Sequence, residues 1–422
     1  MKVCFETFGC RLNRAEALQE EAEYLARGWE PTDSHADAQL IVVRGCSVTA
    51  RAQRDCERLV EHIRRKYPFK RVIETGCLPS AKKDYFLKKP GSSRIGPGSA
   101  RVNVDPSPTP SAPNSPLNDP SPTLKDTSPT LKDPIPTRTA RAYLKIQDGC
   151  SGHCTFCIVP KFRGPSVSIP FDDVLARARA FIDAGYREIV MTGCSMTQYL
   201  SDGKRLPELV SAIAELDGPH RVRLGSIEPG SIALETVSAM ASHTNVCRNL
   251  HITVQSGSTR ILSAMRRPYG AREIEELVSA ASKAMPRLGL GCDLMTGFPD
   301  EQFNDHIATL GLLKRLPFTK AHVFPYSERP GTVAAALPNS VPENVRVSRA
   351  RELAQMADAK RTDFAKRFRG KDVEIVVEDE KHCAGWTSEY LWCRCDGVGA
   401  RKSLKKIRVV ESEGHQLRGK PV

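Results

Sequence analysis

The stretch YLKIQDGCSGHCTFCIVP, residues 143–160, places Cys150, Cys154 and Cys157 in a C-x3-C-x2-C spacing. A structural zinc site normally takes four protein ligands, and a disulfide framework takes an even number of cysteines. Three thiolates can instead hold three irons of a [4Fe–4S] cube. The fourth iron is then left to an exogenous chelator and can act as a Lewis acid or an electron-transfer site. Gly149 and Gly152 give a tight loop the backbone freedom to wrap one face of such a cluster. A zinc ion completed by His153, or three unrelated buried cysteines, are the competing readings.

The remaining cysteines divide by their place along the chain, which has 14 in 422 residues. KVCFETFGC, AQLIVVRGC and KRVIETGC each read as a strand ending on a cysteine. RAEALQEEAEYLARG and TARAQRDCERLVEHIRRKY lie between them, with apolar residues at helical spacing. Strand–helix–strand alternation implies a parallel sheet, whose carboxyl-end loops share one edge. Cys10, Cys46 and Cys77 sit at three such ends and can therefore meet in space. The other eight, Cys4, Cys56, Cys194, Cys247, Cys292, Cys383, Cys393 and Cys395, are assigned to core or surface. Cys393 and Cys395 form a C-x-C that could bind a metal, although alternate positions of a strand are the plainer account.

Four segments follow. Residues 1–88 form an αβ domain. Residues 89–139 are low in large apolar side chains, and positions 90–139 hold twelve of the 30 prolines, so this insert is expected to be disordered. From 140 to 369 the αβ alternation resumes. Six candidate strands, AYLKIQ, EIVMTG, RVRLGS, NLHITVQ, LGLGCDLMTG and KAHVFPYS, predict a partial or complete (β/α) barrel that ends in a long basic helix. Residues 370–422 read as a small all-β module. The fold class is thus α/β, with a parallel amino-terminal domain, a barrel and a carboxyl-terminal β module. Catalytic groups in barrels lie at the carboxyl ends of strands, and Cys150 follows the first strand closely.

The formal net charge is +13, which favours polyanionic partners, with nucleic acid foremost. Positions 401–420 carry seven Lys/Arg against two Glu, and positions 44–71 carry nine against three acids. Met1 leads directly into what reads as a buried strand, and no apolar run approaches the roughly eighteen residues of a membrane span. The expectation is a soluble cytoplasmic protein with reduced thiols and no membrane partner.

C-x3-C-x2-C with Phe156 just before the last cysteine, after a first barrel strand, resembles the radical S-adenosylmethionine (SAM) superfamily. FETFGCRLN, VVRGCSVTA, ETGCLP, QDGCSGHCTFCIVPKFRGPSVS, RLGSIEP, LHITVQSGSTRILSAMRRPY, GCDLMTGFPDE and HVFPYSERPGTVAA occur in that order. The ordered set resembles the methylthiotransferase family over nearly the whole chain apart from the insert. The resemblance implies SAM chelated to the unique iron of the Cys150, Cys154 and Cys157 cluster. It also implies a second [4Fe–4S] cluster on Cys10, Cys46 and Cys77, a TRAM-like RNA-binding module at 370–422, and dependence on an electron donor and a sulfur donor.

Several positions depart from the family pattern. Arg44-Gly45 precede Cys46 where Asn-Thr is usual, TVQSGS replaces PLQSGS, and GFPDEQ replaces GFPGET. MTGCSMTQY also varies from the usual wording of the second strand. Glu228 is the candidate acceptor for the SAM ribose hydroxyls, or else a helix-start carboxylate. Phe156 is expected to pack on adenine or on the barrel. Arg163 either faces substrate or braces the cluster loop. HVFPYSERPGT resembles the branch acting on N6-threonylcarbamoyladenosine in tRNA. The alternatives are the isopentenyladenosine branch, the branch acting on a ribosomal-protein aspartate, and an RNA-binding protein without turnover.

Overall fold

The computed structural model of the chain describes residues 1–46, 49–77 and 139–422. The expected disordered insert, 89–139, lies outside the described residues except for Thr139. The chain divides into two compact units, Met1–Asn13 with Ala17–Pro134, and Arg14–Glu16 with Ile135–Val422.

The first unit is built on a parallel sheet of β1 (Lys2–Thr7), β2 (Glu30–Pro31), β3 (Leu40–Gly45) and β4 (Arg71–Gly76), ordered β2-β1-β3-β4. Helices α1 (Arg11–Ala26) and α2 (Ala50–Lys66) make the crossovers. β3 is a buried apolar run, as a strand covered on both faces requires. Ile41 and Val43 pack with Cys4, Val60 and Ile63, while Val42 and Leu40 pack with Val3 on the opposite face. Thr49 caps α2 by accepting from the Ala52 amide at 3.2 Å. Arg64, Arg65 and Lys66 lie in its last turn, where the helix dipole favours cations.

The second unit carries the partial (β/α) barrel. Its parallel strands are β5 (Ala142–Lys145), β8 (Glu188–Thr192), β11 (Arg221–Arg223), β12 (Ser226–Ile227), β13 (Asn249–Gln255), β14 (Gly289–Thr296) and β15 (Lys320–Pro325). They form one sheet ordered β11-β8-β5 and another ordered β12-β13-β14-β15. The strand expected over RVRLGS is broken at Leu224-Gly225, so it contributes β11 to one sheet and β12 to the next. Leu250, Ile252, Val254, Leu290, Cys292 and Leu294 share one hydrophobic cluster with Leu277, Val278, Leu312 and Leu313 of the outer helices. Because side chains alternate across a strand, the residues between them face the barrel interior.

The antiparallel pair β6 (Gln147–Asp148) and β7 (Val167–Ser168) brackets the cysteine loop. A long helix, Glu343–Lys366, follows the last barrel strand. The chain then closes a small barrel of β16 (Asp372–Asp379), β17 (Ala384–Thr387), β18 (Trp392–Cys395), β19 (Leu404–Glu413) and β20 (Gln416–Pro421), ordered β16-β17-β18-β20-β19. Cys383, Cys393 and Cys395 are buried in its core.

Three arginines join this module to the larger barrel. Arg221 donates to the carbonyls of Glu374 and Trp386 at 2.8 and 2.7 Å. Arg223 donates to those of Thr387 and Ser388 at 2.8 and 3.1 Å. Arg141 pairs with Glu378 at 2.6 Å. The turn between β17 and β18 therefore seats at the amino ends of barrel strands, opposite the cysteine loop. No helix among the described residues is long and apolar enough to cross a membrane.

Candidate cluster and SAM site

The loop carrying Cys150, Cys154 and Cys157 is held from several sides. Gly149 has φ +65°, and a β-carbon there would strike the Pro165 carbonyl, so only glycine fits. Asp148 Oδ1 accepts from the Gly149 amide at 2.7 Å and from Arg163 at 3.0 Å, and Asp148 Oδ2 meets Lys145 Nζ at 2.6 Å. Burial opposes the Asp148 charge, but Lys145 and Arg163 hold its carboxyl below the usual range. Of the two roles read for Arg163, these contacts fit the brace. The Cys150 amide donates to Gly164 O at 3.0 Å, and the Thr155 amide to Met265 O at 3.0 Å.

Cys150 and Cys154 lie close enough to a neighbouring thiol to raise its pKa. Burial pushes the Cys150 thiol up, with Cys154 adding to it. Burial pushes Cys157 up to about 11, with Cys154 and Cys150 contributing and the Val159 amide opposing. Several N–H groups converge on the sulfurs. The Gly152 amide lies 3.3 Å from Cys150 Sγ, Gln198 Nε2 lies 3.7 Å from the same sulfur, and Arg267 lies 2.9 Å from Cys154 Sγ. A β-carbon at Gly152 would stand 3.2 Å from Cys150 Sγ and 4.0 Å from Cys154 Sγ, in the space between the two. Three thiols with amide and guanidinium donors aimed at them, and a glycine keeping the gap open, fit an iron–sulfur cluster ligated through three cysteines.

Glu228 lies just after β12 and pairs with Arg267 at 3.1 Å. Arg267 also donates to Thr253 Oγ1 at 3.1 Å and to Tyr269 Oη at 2.7 Å. Glu228 is therefore linked through one guanidinium to a cluster cysteine. Phe156 packs on Ile261, Met265, Met295, Phe298, Tyr326 and Ala334, so its ring is partly committed to the barrel. Arg267 and Gln198 stood out in no local motif. Gln198 in MTGCSMTQY follows β8 by a short loop, and Arg267 in AMRRPY follows the short helix Thr259–Ala264, which is the local cue for each.

The first unit is described by itself. Cys46 and Cys77 directly follow the ends of β3 and β4, and Cys10 lies three residues past the end of β1; the three strands are neighbours in one sheet. Gly45 and Gly76 are register partners, and a β-carbon on Gly76 would lie 2.7 Å from Gly45 O. Gly9 has φ +96°, and a β-carbon there would lie 2.7 Å from Cys46 Cβ and 3.0 Å from its sulfur. Asn13 donates to Phe8 O at 2.8 Å and Gly45 O at 3.0 Å, tying the Cys10 loop to the Cys46 loop. Arg44, one of the departures from the family wording, pairs with Glu20 at 2.9 Å, and Glu20 also accepts from Thr75 at 3.1 Å. Glycines at positions 9 and 76 thus let these strand ends approach closely.

The basic stretch 401–420 is partly neutralised within its own module. Arg408 pairs with Asp372, and Arg418 pairs with Asp396 at 3.4 Å and Glu411 at 3.2 Å. Lys402 lies over the Tyr186 ring at 3.7 Å, and Lys405 donates to Val398 O at 3.0 Å. Less of this charge is free for a polyanion than the count implied.

A parallel partial barrel with a three-cysteine loop at its carboxyl edge defines a radical SAM protein. Residues 144–313 match the Radical SAM superfamily, and residues 2–96 match the uncharacterized protein family UPF0004. A solved structure of similar fold is the radical SAM methyltransferase TsrM of Kitasatospora setae, with TM-score 0.54 and 13% identity over 79% of this chain and 76% of that one.

Curated relatives are nearer. Threonylcarbamoyladenosine tRNA methylthiotransferase MtaB of Aquifex aeolicus is 28% identical over 97% of this chain and 100% of its own length. The Bacillus subtilis protein of the same name is 30% identical over 92% and 89%. The tRNA-2-methylthio-N(6)-dimethylallyladenosine synthase of Chlorobium limicola is 30% identical over 90% and 87%. The chain belongs to the radical SAM methylthiotransferase family. It is accordingly a transferase that uses SAM and a [4Fe–4S] cluster.

Proposed function

We propose that this enzyme inserts a methylthio group at C2 of N6-threonylcarbamoyladenosine at position 37 of tRNA, in the cytoplasm. The observation that carries the substrate is the place of His322–Thr332, the wording that resembles the threonylcarbamoyl branch. Its Tyr326 belongs to the hydrophobic cluster on which Phe156 packs, and two residues past its end the Ala334 amide donates to Thr155 O at 2.8 Å. Branch-marking residues thus border the cluster loop, where a substrate must meet the radical. The full-length similarity to relatives named for that nucleoside supports the same reading. A second reading, the dimethylallyladenosine nucleoside, is supported by relatives of equal identity named for it.

In this reading Cys150, Cys154 and Cys157 hold one cluster, and Cys10, Cys46 and Cys77 hold a second that carries the sulfur to be transferred. The first group, with SAM, would supply one-electron chemistry that removes a hydrogen atom from carbon, since an aromatic C–H is too weak an acid for any side-chain base. Arg267 and Gln198 direct N–H groups at the ligating sulfurs. Glu228, steered by Arg267, accepts from the ribose hydroxyls. Phe156 borders the adenine. The apolar wall of Ile261, Met295, Phe298 and Tyr326 keeps water from the reacting carbon. An electron donor and a sulfur donor complete the cycle.

The test is mass spectrometry of tRNA nucleosides from cells with and without the gene. Loss of 2-methylthio-N6-threonylcarbamoyladenosine with a rise in its precursor is expected. An unchanged level with loss of the dimethylallyl counterpart would move the substrate to the second reading. No change in either overturns both.

A further inference from the structure

The barrel interior holds a second constellation of metal-binding type, apart from the cysteines. His251 on β13, Asp293 on β14 and His322 on β15 stand on three adjacent strands. Asp293 and His322 are register partners, and His251 pairs with Gly291, two residues before Asp293. Their neighbours Ile252, Cys292 and Val323 pack toward the outer helices, so these three side chains face inward.

His251 Nε2 lies 2.9 Å and His322 Nδ1 3.2 Å from the same oxygen, Asp293 Oδ1, and all three ligand atoms lie within 4.8 Å of one another. The two imidazole rings lie 4.9 Å apart and tilted. Position 291 has no room for a side chain, because a β-carbon there would strike the His251 imidazole. The glycine admits that ring to the sheet surface beside the carboxylate.

The role described for the cluster site uses none of these groups. Thr253, two residues beyond His251 on the same face, bonds Arg267 and so connects this constellation to Cys154. At the strand rise the two positions are about 7 Å apart.

We propose that His251, Asp293 and His322 bind a divalent transition cation of the zinc class in the barrel interior. Two imidazoles and a carboxylate suit zinc or ferrous iron rather than magnesium or calcium, which prefer all-oxygen shells. Ligand bonds of about 2.0–2.1 Å in a tetrahedral arrangement need donor separations of about 3.3 Å. The observed 2.9 and 3.2 Å to Asp293 open to that with shifts of a few tenths of an ångström, and the two histidine nitrogens, within 4.8 Å of each other, close to it by turning their rings. Three protein ligands leave a fourth position for water or an oxygen of a bound molecule, as in zinc sites that do chemistry. His322 is 53% exposed and offers the ion a way in. The site does not depend on which nucleoside is the substrate.

The test uses the full chain with its iron–sulfur content reconstituted anaerobically, incubated with zinc chloride and desalted. Zinc and iron are then read together by elemental mass spectrometry. About one zinc per chain is expected in the parent protein, with at least a tenfold loss of zinc affinity in His322→Ala and in Asp293→Asn and iron unchanged in both. His322→Ala alters a half-exposed side chain and keeps the test valid if Asp293→Asn fails to fold. Equal zinc in parent and His322→Ala, no zinc in the parent, or zinc that rises only as iron falls would overturn the proposal. The three residues would then be a hydrogen-bonded set alone.

Discussion

Arg267 donates to Cys154 Sγ at 2.9 Å through one terminal nitrogen and to Glu228 Oε1 at 3.1 Å through the other. Its side chain is only 4% exposed, so both contacts act in a low-dielectric setting. A positive donor on a ligating sulfur stabilises the more reduced, more negative cluster. Replacing it with a neutral side chain of similar length removes that stabilisation. Arg267→Met is expected to lower the cluster's reduction midpoint by about 30–60 mV, the one-electron equivalent of about 0.7–1.4 kcal/mol. Arg267→Lys should recover part of the shift, because it keeps the charge. An EPR-monitored redox titration gives the values, and an unchanged midpoint in Arg267→Met would show the contact to be only structural.

Gly76 governs the approach of β4 to β3. It has φ +81°, and a β-carbon would lie 2.7 Å from the backbone oxygen of Gly45, which cannot swing aside as a side chain does. Cys46 and Cys77 are the next residues on each strand. Gly76→Ala is expected to cost about 1–3 kcal/mol in backbone strain and to push the two thiols apart. Under the proposed two-cluster assignment, iron should fall from about eight to about four atoms per chain while SAM cleavage persists. Iron determination beside a 5′-deoxyadenosine assay separates this from global unfolding, which would remove both.

Much of this site was legible because it depends on short-range order. The C-x3-C-x2-C loop and its glycines lie within nine residues, 149–157. Cys46 and Cys77 are marked by strands that stop at them, and Cys10 by one that stops three residues earlier. What stayed hidden depends on long-range meetings. Arg267 is 113 residues from Cys154 in sequence, and its neighbour Arg266 looks equally suitable on paper. Asn13 ties two loops whose proximity only the parallel sheet creates. The His251, Asp293 and His322 set needs the register of three strands, and a one-residue slip would turn any of them outward. In the small barrel, β17 has four residues and β20 contains Gly419 and Pro421, so neither shows a long apolar alternation in the sequence. The charge count at 401–420 overstated the free positive surface because pairing with Asp372, Asp396 and Glu411 is invisible in a tally.

Cys157 sets a pH dependence on the iron-free protein. Burial raises its thiol from an ordinary value of 9.0 to about 11 in the fold. The folded form resists the thiolate, so the stability present below pH 9 is lost as pH rises toward 11. The loss from this group is on the order of 2–3 kcal/mol. Urea unfolding of the apoprotein at pH 8 and pH 10.5 should show a larger fall for the parent than for Cys157→Ala. Equal falls would mean that the thiol is not held neutral. The same shift makes cluster assembly release a proton from Cys157 near neutrality, so loading should quicken as pH rises from 7 to 9.

Glu188 is the carboxylate shared by the three guanidiniums that hold the small β module to the barrel. It is fully buried, 2.7 Å from Arg223 and 2.5 Å from Arg221, with Arg141 at 3.7 Å. Burial opposes its charge, but Arg223, Arg221 and Arg141 outweigh that and hold it well below its ordinary value of 4.5. A depressed pKa contributes stability above 4.5 that is lost as pH falls toward the folded value. Glu188→Gln removes the counter-charge while leaving the arginines buried, and should cost about 3–5 kcal/mol at neutral pH. Its stability should also fall less steeply than that of the parent between pH 4.5 and pH 3. Because Arg221 and Arg223 carry the bonds to Trp386, Thr387 and Ser388, the loss should appear first as release of the carboxyl-terminal module. Limited proteolysis should then cut near Arg369–Lys371 in Glu188→Gln before any cut within the barrel. Simultaneous digestion of both parts would show that the arginine–glutamate centre serves the barrel alone and does not bind the module to it.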